Sequence, residues 1–376
     1  MAILLDGTLG ITAPTYAGVI PSEYSVPVTG FKNRIINGAC VIDQRNAGAL
    51  IPSAGNQYTV DRWAFYNSQP AKLAVGQNAG AGTLPAGFIN YLGAVSLSAY
   101  SVVSSDYFEL VHQIEGFNTS DLSFGTANAK TVVLSFQVYS SLTGTFGGSL
   151  TNSAGNRSYP FSYSVSVANT WAPVSISIAG DTTGTWLSNN GIGISVRFGL
   201  GVGATWASTA GSWQAGNFVQ PTGTVSVVGT SGATFYITGV QLEKGSTATS
   251  FDYRPYGTEL SLCQRYYEMS YDLGTVAGAN SNVGAKYSSG ANGGVTTSYI
   301  CDGFSYKVTK RATPTITFYD LVGNINKCNR EYFGVSSTTN QTTTGQAIGI
   351  NQAAIYSSGT ANAGSISYQW TALSEL

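Results

Sequence analysis

The chain has 376 residues, of which 9% are charged, 43% hydrophobic and 12% aromatic, with 46 Gly, one His and a formal net charge of −1. A near-zero charge with scattered basic residues leaves no counterion-release footprint for nucleic acid, and so few charges cannot coat the wet faces of a mainly helical protein. The longest apolar run, Met1 to Leu5, is five residues, too short for a bilayer span. No basic n-region with an apolar h-region opens the chain, so no secretory signal is expected.

Residues 1–30 are interrupted by Gly7, Gly10, Pro14, Gly18, Pro21, Pro27 and Gly30. Breakers at this density predict an extended N-terminal arm that needs a partner surface to become ordered. Residues 31–257 then carry short segments of period-two alternation. Thr131–Tyr139 places Leu134, Phe136 and Val138 on one face, and Phe161–Val167 places Phe161, Tyr163, Val165 and Val167 on one face. Val174–Ile178, Ile192–Phe198, Thr224–Val228 and Ala233–Leu242 follow the same rule, with Gly/Ser/Asn/Thr turns between them. One apolar and one polar face per strand predicts antiparallel sheets packed as a jelly-roll-like β-sandwich.

Glu259–Tyr271 reads as a helix or a broad strand. Strands resume to the end: Gly294–Cys301, Phe304–Val308, Thr315–Leu321, Tyr332–Ser336, Ala347–Ile355 and Gly364–Leu373. Residues 258–376 are therefore expected to form a second, smaller C-terminal β-sandwich, and the whole chain to be all-β.

The chemistry on offer is sparse. Cys40, Cys263, Cys301 and Cys328 show no C-x-x-C spacing, so neither a metal site nor a cofactor is expected. His112, in a strand-like run, reads as a structural residue rather than a general base, and no G-x-S-x-G elbow accompanies it. Gly199–Gly203 (GLGVG) lacks the Lys-Ser/Thr of a phosphate loop and reads as a turn. Asp106, Glu109 and Glu115 are the densest acids, but a spacing of three does not set Asp106 and Glu109 on one strand face. No catalytic residue is assigned.

Neutral sugar recognition needs only aromatic faces and uncharged hydrogen-bonding groups. Trp206 and Trp213, in the Gly/Ser/Thr-rich stretch GATWASTAGSWQAG, are the candidate glycan contacts. Trp63 and Trp171 adjoin strand runs and are assigned to the core.

Two segments carry a family resemblance. Asn33–Gly48 reads NRIINGACVIDQRNAG and is followed by YTVDRW at Tyr58–Trp63; Phe235–Gly257 reads FYITGVQLEKGSTATSFDYRPYG and leads into TELSLCQRYY at Thr258–Tyr267. Together they resemble bacteriophage and prophage tail proteins of the tail-fibre, receptor-binding type. The closing Ser374-Glu375-Leu376 resembles the acidic-Leu ending of such chains. The resemblance implies a module similar to carbohydrate-binding jelly rolls in a homotrimeric virion appendage, made in the host bacterial cytoplasm. It implies non-enzymatic binding to host polysaccharide or lipopolysaccharide during adsorption, with residues 1–30 attached to other virion proteins. The alternatives are a structural virion component (head fibre, baseplate or adaptor) and a polysaccharide depolymerase tailspike. In the motifs, Asp and Arg of Asp43-Gln44-Arg45 and Asp61-Arg62-Trp63 are expected to pair across strands while Ile42 and Trp63 enter the core. Val240 and Leu242 are expected to face inward and Gln241 and Glu243 outward, with Phe251 and Tyr253 anchoring the exit.

Overall fold

The computed structural model describes residues 4–6, 10–12, 32–80, 83–289, 297–332, 335–360 and 363–376. It divides into Met1–Lys32 and Asn33–Leu376. In the first unit β1 (Leu4–Asp6) and β2 (Gly10–Thr12) form an antiparallel pair; the rest of the expected arm lies outside the described residues.

The second unit begins with β3 (Ile51–Pro52), β4 (Gln57–Tyr58), β5 (Trp63–Asn67), β6 (Leu73–Gln77), β7 (Leu92–Ser96), β8 (Tyr107–Glu115), β9 (Val132–Ser140) and β10 (Gly144–Thr151). It continues with β11 (Arg157–Val165), β12 (Ala172–Ile178), β13 (Ile192–Val202), β14 (Ala207–Ser208), β15 (Gln214–Ala215), β16 (Gln220–Pro221) and β17 (Thr234–Lys244). Two antiparallel sheets result, one in the order β15-β11-β10-β13-β8-β5-β4 and one in the order β12-β9-β17-β7-β6-β3. The chain crosses repeatedly between them, as the alternation predicts.

Between the sheets lies one continuous core. Leu134, Phe136 and Val138 of β9 and Phe235 and Ile237 of β17 face Phe198 of β13, Phe146 of β10 and Phe161 and Tyr163 of β11. Phe136 packs edge-on to Phe198 and Tyr163 at 5.0 and 5.1 Å. Each such side chain stabilises the fold by about 1.5–3 kcal/mol on burial.

Four local expectations are corrected. Thr224–Val228 is not a strand; it crosses the sandwich edge irregularly, tied by Val225 N to Thr145 O and Val228 N to Leu200 O, and still buries Val227 and Val228. Gly199–Gly203 is not a simple turn: most of it continues β13, with a register shift between Gly199 and Gly201. Gln241 and Glu243 are buried, because residues 249–252 cover them. Asp252 N donates to Gln241 Oε1 at 2.8 Å, and Thr249 N and Oγ1 donate to Glu243 at 2.8 and 2.7 Å. Trp171 is half-buried at the surface rather than in the core.

After the sandwich comes α1 (Tyr256–Gln264), then β18 (Tyr267–Met269), so the ambiguous segment holds both a helix and a strand. The remaining strands are β19 (Lys286–Ser289), β20 (Thr297–Ser305), β21 (Thr315–Tyr319), β22 (Lys327–Tyr332), β23 (Val335–Gln346), β24 (Gln352–Thr360) and β25 (Ala363–Leu373). β20 runs through the break expected between Cys301 and Phe304, while residues 294–296 lie outside the described residues. β25 is the organiser. Its first half pairs with β22 and β19, its second half with β21 and β18. Ile366, Tyr368, Trp370 and Ala372 project from it into a second core with Phe304, Phe318 and Ile355.

The two β parts meet through buried charge. Arg45 and Arg62 both bind Glu375, and their guanidinium groups lie 3.9 Å from the Tyr267 ring centre and 3.6 Å from that of Tyr266. Asp61 instead accepts from Gln44 N and Nε2 at 2.6 and 2.8 Å, and Asp43 caps the turn that follows it. The cross-strand Asp–Arg pairs expected within the motifs are therefore not formed; the arginines reach a glutamate far along the chain. Ile42 and Trp63 are fully buried, as expected.

Candidate functional site

The alternation that fills the core from β9 necessarily sends Ser135, Gln137 and Tyr139 to the outer face of the six-stranded sheet. Registers align them with their neighbours. Gln137 lies opposite Thr238 of β17 and Pro173 of β12, Tyr139 opposite Tyr236, and Ser135 opposite Ser175. Tyr139 and Tyr236 stack at 5.1 Å and 17°. Tyr91 and Trp171 complete the cluster, each ring within 5.7 Å of a partner. Tyr236 OH donates to Ala79 O at 3.0 Å and Thr238 Oγ1 to Asn90 O at 2.7 Å, which fixes the row.

A groove of 570 Å³ opens beside this row, within the ~300–1,000 Å³ of small-ligand clefts. Ser135, Gln137 and Ser175 form its floor, and Phe88, Phe251 and Tyr253 form its aromatic wall, with centroids 4.9–5.6 Å apart. Phe251 and Tyr253 thus do anchor the exit from β17, against a ring more than 160 residues away. Gly239 makes the groove possible. It sits at φ +61 in a bulge of β17, and a Cβ there would lie 2.5 Å from Phe88 Cζ. Among the described lining residues none is charged. Gln137 makes no side-chain hydrogen bond within the described residues, so both ends of its amide are available to a ligand. Burial raises the phenol pKa values of Tyr236 and Tyr253, keeping both neutral.

The sequence candidates lie elsewhere, in two separate clusters. Trp206 is half-buried, with its Nε1 donating to Ser105 O at 2.8 Å and its ring 5.2 Å from Tyr107. Trp213 donates to Ala179 O at 2.6 Å and packs on Tyr159, Trp186 and Phe124 at 5.3, 5.3 and 5.8 Å. Neither lines the groove.

The acidic cluster is fully engaged. Burial pushes the Asp106 carboxyl up, but donors from Val103 N, Ser68 and Tyr100 outweigh it and hold it below the ordinary value. Glu109 makes a bidentate pair with Arg197 at 2.6 and 2.7 Å, and Glu115 pairs with Arg265 at 2.6 and 2.9 Å and accepts from Tyr266 OH at 2.7 Å. His112 is fully buried against Trp63, its Nε2 2.8 Å from Ile36 O. Cys40, Cys263 and Cys328 are buried free thiols and Cys301 an exposed one. Among the described residues no group of three His, Cys, Asp or Glu is placed to hold a metal, and no helix is long and apolar enough to cross a membrane.

No protein-family model matches this chain, and no curated protein matches it. Among solved structures, the enzymatically active domain of bacteriophage CBA120 tailspike protein 4 aligns with 58% of this chain at 11% identity and TM-score 0.33, over 22% of its own length. The alignment thus spans about a fifth of that tailspike chain. A CBM4 structure aligns with 56% of this chain and 99% of its own at 12% identity and TM-score 0.29. The family 11 carbohydrate-binding module of the Clostridium thermocellum cellulase Lic26A-Cel5E aligns with 53% of this chain and 98% of its own at 13% identity and TM-score 0.25.

Proposed function

We propose that this chain is a non-enzymatic glycan-binding protein of a bacteriophage virion, of the tail-fibre type, that holds a neutral glycan of the host surface during adsorption. The observation that carries the binding reading is the uncharged groove, where Phe88, Phe251 and Tyr253 face the Gln137 amide and the hydroxyls of Ser135 and Ser175. Sugar C–H faces pack on aromatic rings, and sugar hydroxyls bond to neutral donors and acceptors. An anionic ligand would find no counter-charge among these residues. The absence of a carboxylate from the described lining favours binding over hydrolysis, which needs a pair of acids.

The virion part of the reading rests on the resemblance carried by Asn33–Gly48 and Phe235–Tyr267. In it, 31–257 is the recognition module, 258–376 the tip, 1–30 the attachment to other virion proteins, and the assembly a homotrimer. A glycan array of bacterial polysaccharides and lipopolysaccharides, with a cell-adsorption assay, tests it. Gln137→Ala is expected to weaken binding about tenfold while leaving the unfolding midpoint unchanged. Wild-type protein that binds neither glycan nor cells overturns the reading in favour of a purely structural virion component. Release of reducing ends from a polysaccharide overturns it in favour of an enzyme.

A further inference from the structure

A second cavity lies away from the groove. The segments 116–130 and 179–191 enclose a pocket of 400 Å³, within the ~300–1,000 Å³ typical of small-ligand clefts. Its walls are the rings of Phe124 and Trp186, 5.0 Å apart and at 87° to each other. Its rim carries Ser123, Thr126, Asn128 and Ser188. As in the groove, no described lining residue is charged.

The pocket is held rigidly. Gly116 N donates to Gly191 O at 2.8 Å, Phe117 N to Asn189 O at 2.9 Å and Gly125 N to Asp181 O at 2.7 Å, so the two segments are laced together at three points. Asp181 is clamped by Arg157 at 2.7 and 2.8 Å. Trp186 Nε1 is spent on Thr183 O at 3.1 Å; the indole therefore offers its ring to a ligand and not its donor. Trp213 backs Trp186 edge-on at 5.3 Å and 83°. Gly125, at φ +82, passes so close that a Cβ would lie 2.6 Å from Gly184 O. Walls fixed before binding cost little ordering entropy when a ligand arrives. Ser123, Asn128 and Ser188 make no side-chain hydrogen bonds within the described residues, so the lining combines the two aromatic rings with an unspent set of hydroxyls and an amide.

We infer that this pocket is a second saccharide site, which takes a single neutral pyranose with one C–H face on Trp186 and its hydroxyls on the Ser123/Asn128/Ser188 rim. Only the class of ligand rests on the glycan-binding reading above; the site itself is independent of the groove.

Fluorine NMR of protein labelled with 5-fluorotryptophan separates the two sites, because Trp186 reports the pocket and Trp171 lies on the face that bears the groove. The two resonances are assigned by their loss in Trp186→Phe and Trp171→Phe. Methyl glycosides of glucose, galactose, mannose, rhamnose and N-acetylglucosamine are titrated singly as probes. At least one is expected to shift the Trp186 resonance saturably. The rim variant Ser188→Phe, at an exposed position that leaves the core intact, is expected to raise the midpoint of that titration at least about tenfold. Gln137→Ala is expected to leave it unchanged. A Trp186 resonance unmoved by every glycoside, or a response that survives Ser188→Phe, overturns the inference whatever Trp171 does. Movement of Trp171 alone overturns the pocket and leaves the groove standing; movement of Trp186 alone supports the pocket and leaves the groove to the glycan array and Gln137→Ala.

Discussion

Arg45 Nη2 and Glu375 Oε1 lie 2.7 Å apart although 330 residues separate them in sequence. Arg62 binds the other oxygen of the same carboxylate, and all three side chains are largely or wholly buried. The motifs that resemble tail proteins thus converge on one junction between the sandwich and the C-terminal strands. Asn37 donates to Ile42 O and Asp61 O at 2.8 and 2.9 Å, Gln44 to Tyr267 O at 3.0 Å, and Arg254 to Glu259 at 3.2 Å. Removing one partner of a buried ion pair leaves an uncompensated charge, at a cost of about 3–5 kcal/mol. Glu375→Gln is expected to destabilise the protein by that order in urea unfolding. The double variant Arg62→Met/Glu375→Leu is expected to lose less than the sum of its single variants, because the Arg62 charge leaves together with its partner and only Arg45 is left without Glu375. A Glu375→Gln protein as stable as wild type would remove the junction from any account of the fold.

His112 gives the protein an acid sensitivity of known sign. Burial, with Arg62 nearby, holds its pKa well below 6.5, despite the carbonyl of Ile36. The unfolded chain therefore takes up a proton that the folded chain refuses. The His112 contribution to stability is fully present above 6.5 and is lost as pH falls below it, by up to about 1.4 kcal/mol per pH unit. Asp61 works in the opposite sense. Burial raises its carboxyl to about 6, against the pull of Arg45 and Gln44, so its contribution is present below 3.8 and lost as pH rises through 6. Glu109, also raised by burial, has the sign of Asp61. Between pH 6 and 4 the opposed slopes largely offset each other in the wild type. Denaturation measured across that range is expected to show His112→Phe gaining stability on acidification relative to wild type. Parallel profiles for the two proteins would show that His112 is not the titrating group.

Gly239 links the fold to the groove. Any other residue at its φ of +61 meets strain of about 1–2 kcal/mol, and an added methyl would also press on Phe88. Gly239→Ala is expected to lower the unfolding midpoint and to weaken glycan binding together, since Phe88 stands on both the bulge and the groove wall. Binding that is unchanged once the folded fraction is matched would detach Phe88 from the ligand.

Much of the sandwich was legible because its strands obey period two in both directions. Leu134, Phe136 and Val138 announce a core face, and the same pattern places Ser135, Gln137 and Tyr139 outside. That outward set was the available signal for the groove. Of its aromatic wall, Phe251 and Tyr253 were legible only as anchors of the exit from β17, and Phe88 had no signal, since it meets them only through the crossing of distant loops. Gln241 and Glu243 followed the outward rule yet became buried, because residues 249–252 fold back to satisfy their polar atoms; alternation reports the pleat and is silent about what later covers it. Trp171 fails for the same reason in reverse. It precedes β12 and stacks across the outer face on Tyr91 and Tyr139 instead of turning inward. The motif arginines were recognisable as framework, but their partner Glu375 lies too far away for any local rule to assign.

The two tryptophans nominated by the sequence should separate by their roles. Trp213 packs against the main core and braces Trp186, and its indole N–H is bonded to Ala179 O. Full truncation of a buried aromatic costs about 3–5 kcal/mol, and Trp213 is only half-buried, so Trp213→Ala is expected to cost about 2–3 kcal/mol. Trp206 rests on one ring, Tyr107, and one carbonyl, Ser105 O; Trp206→Ala is expected to cost about 1 kcal/mol. The functional difference follows from the brace. With Trp213 gone, Trp186 loses the ring that holds it upright, and the fluorine response of Trp186 to glycosides should weaken in protein that is still folded. In Trp206→Ala the same response should persist. Equal losses of stability for the two variants, with equal glycoside responses, would mean that Trp213 supports neither the core edge nor the pocket behind which it stands.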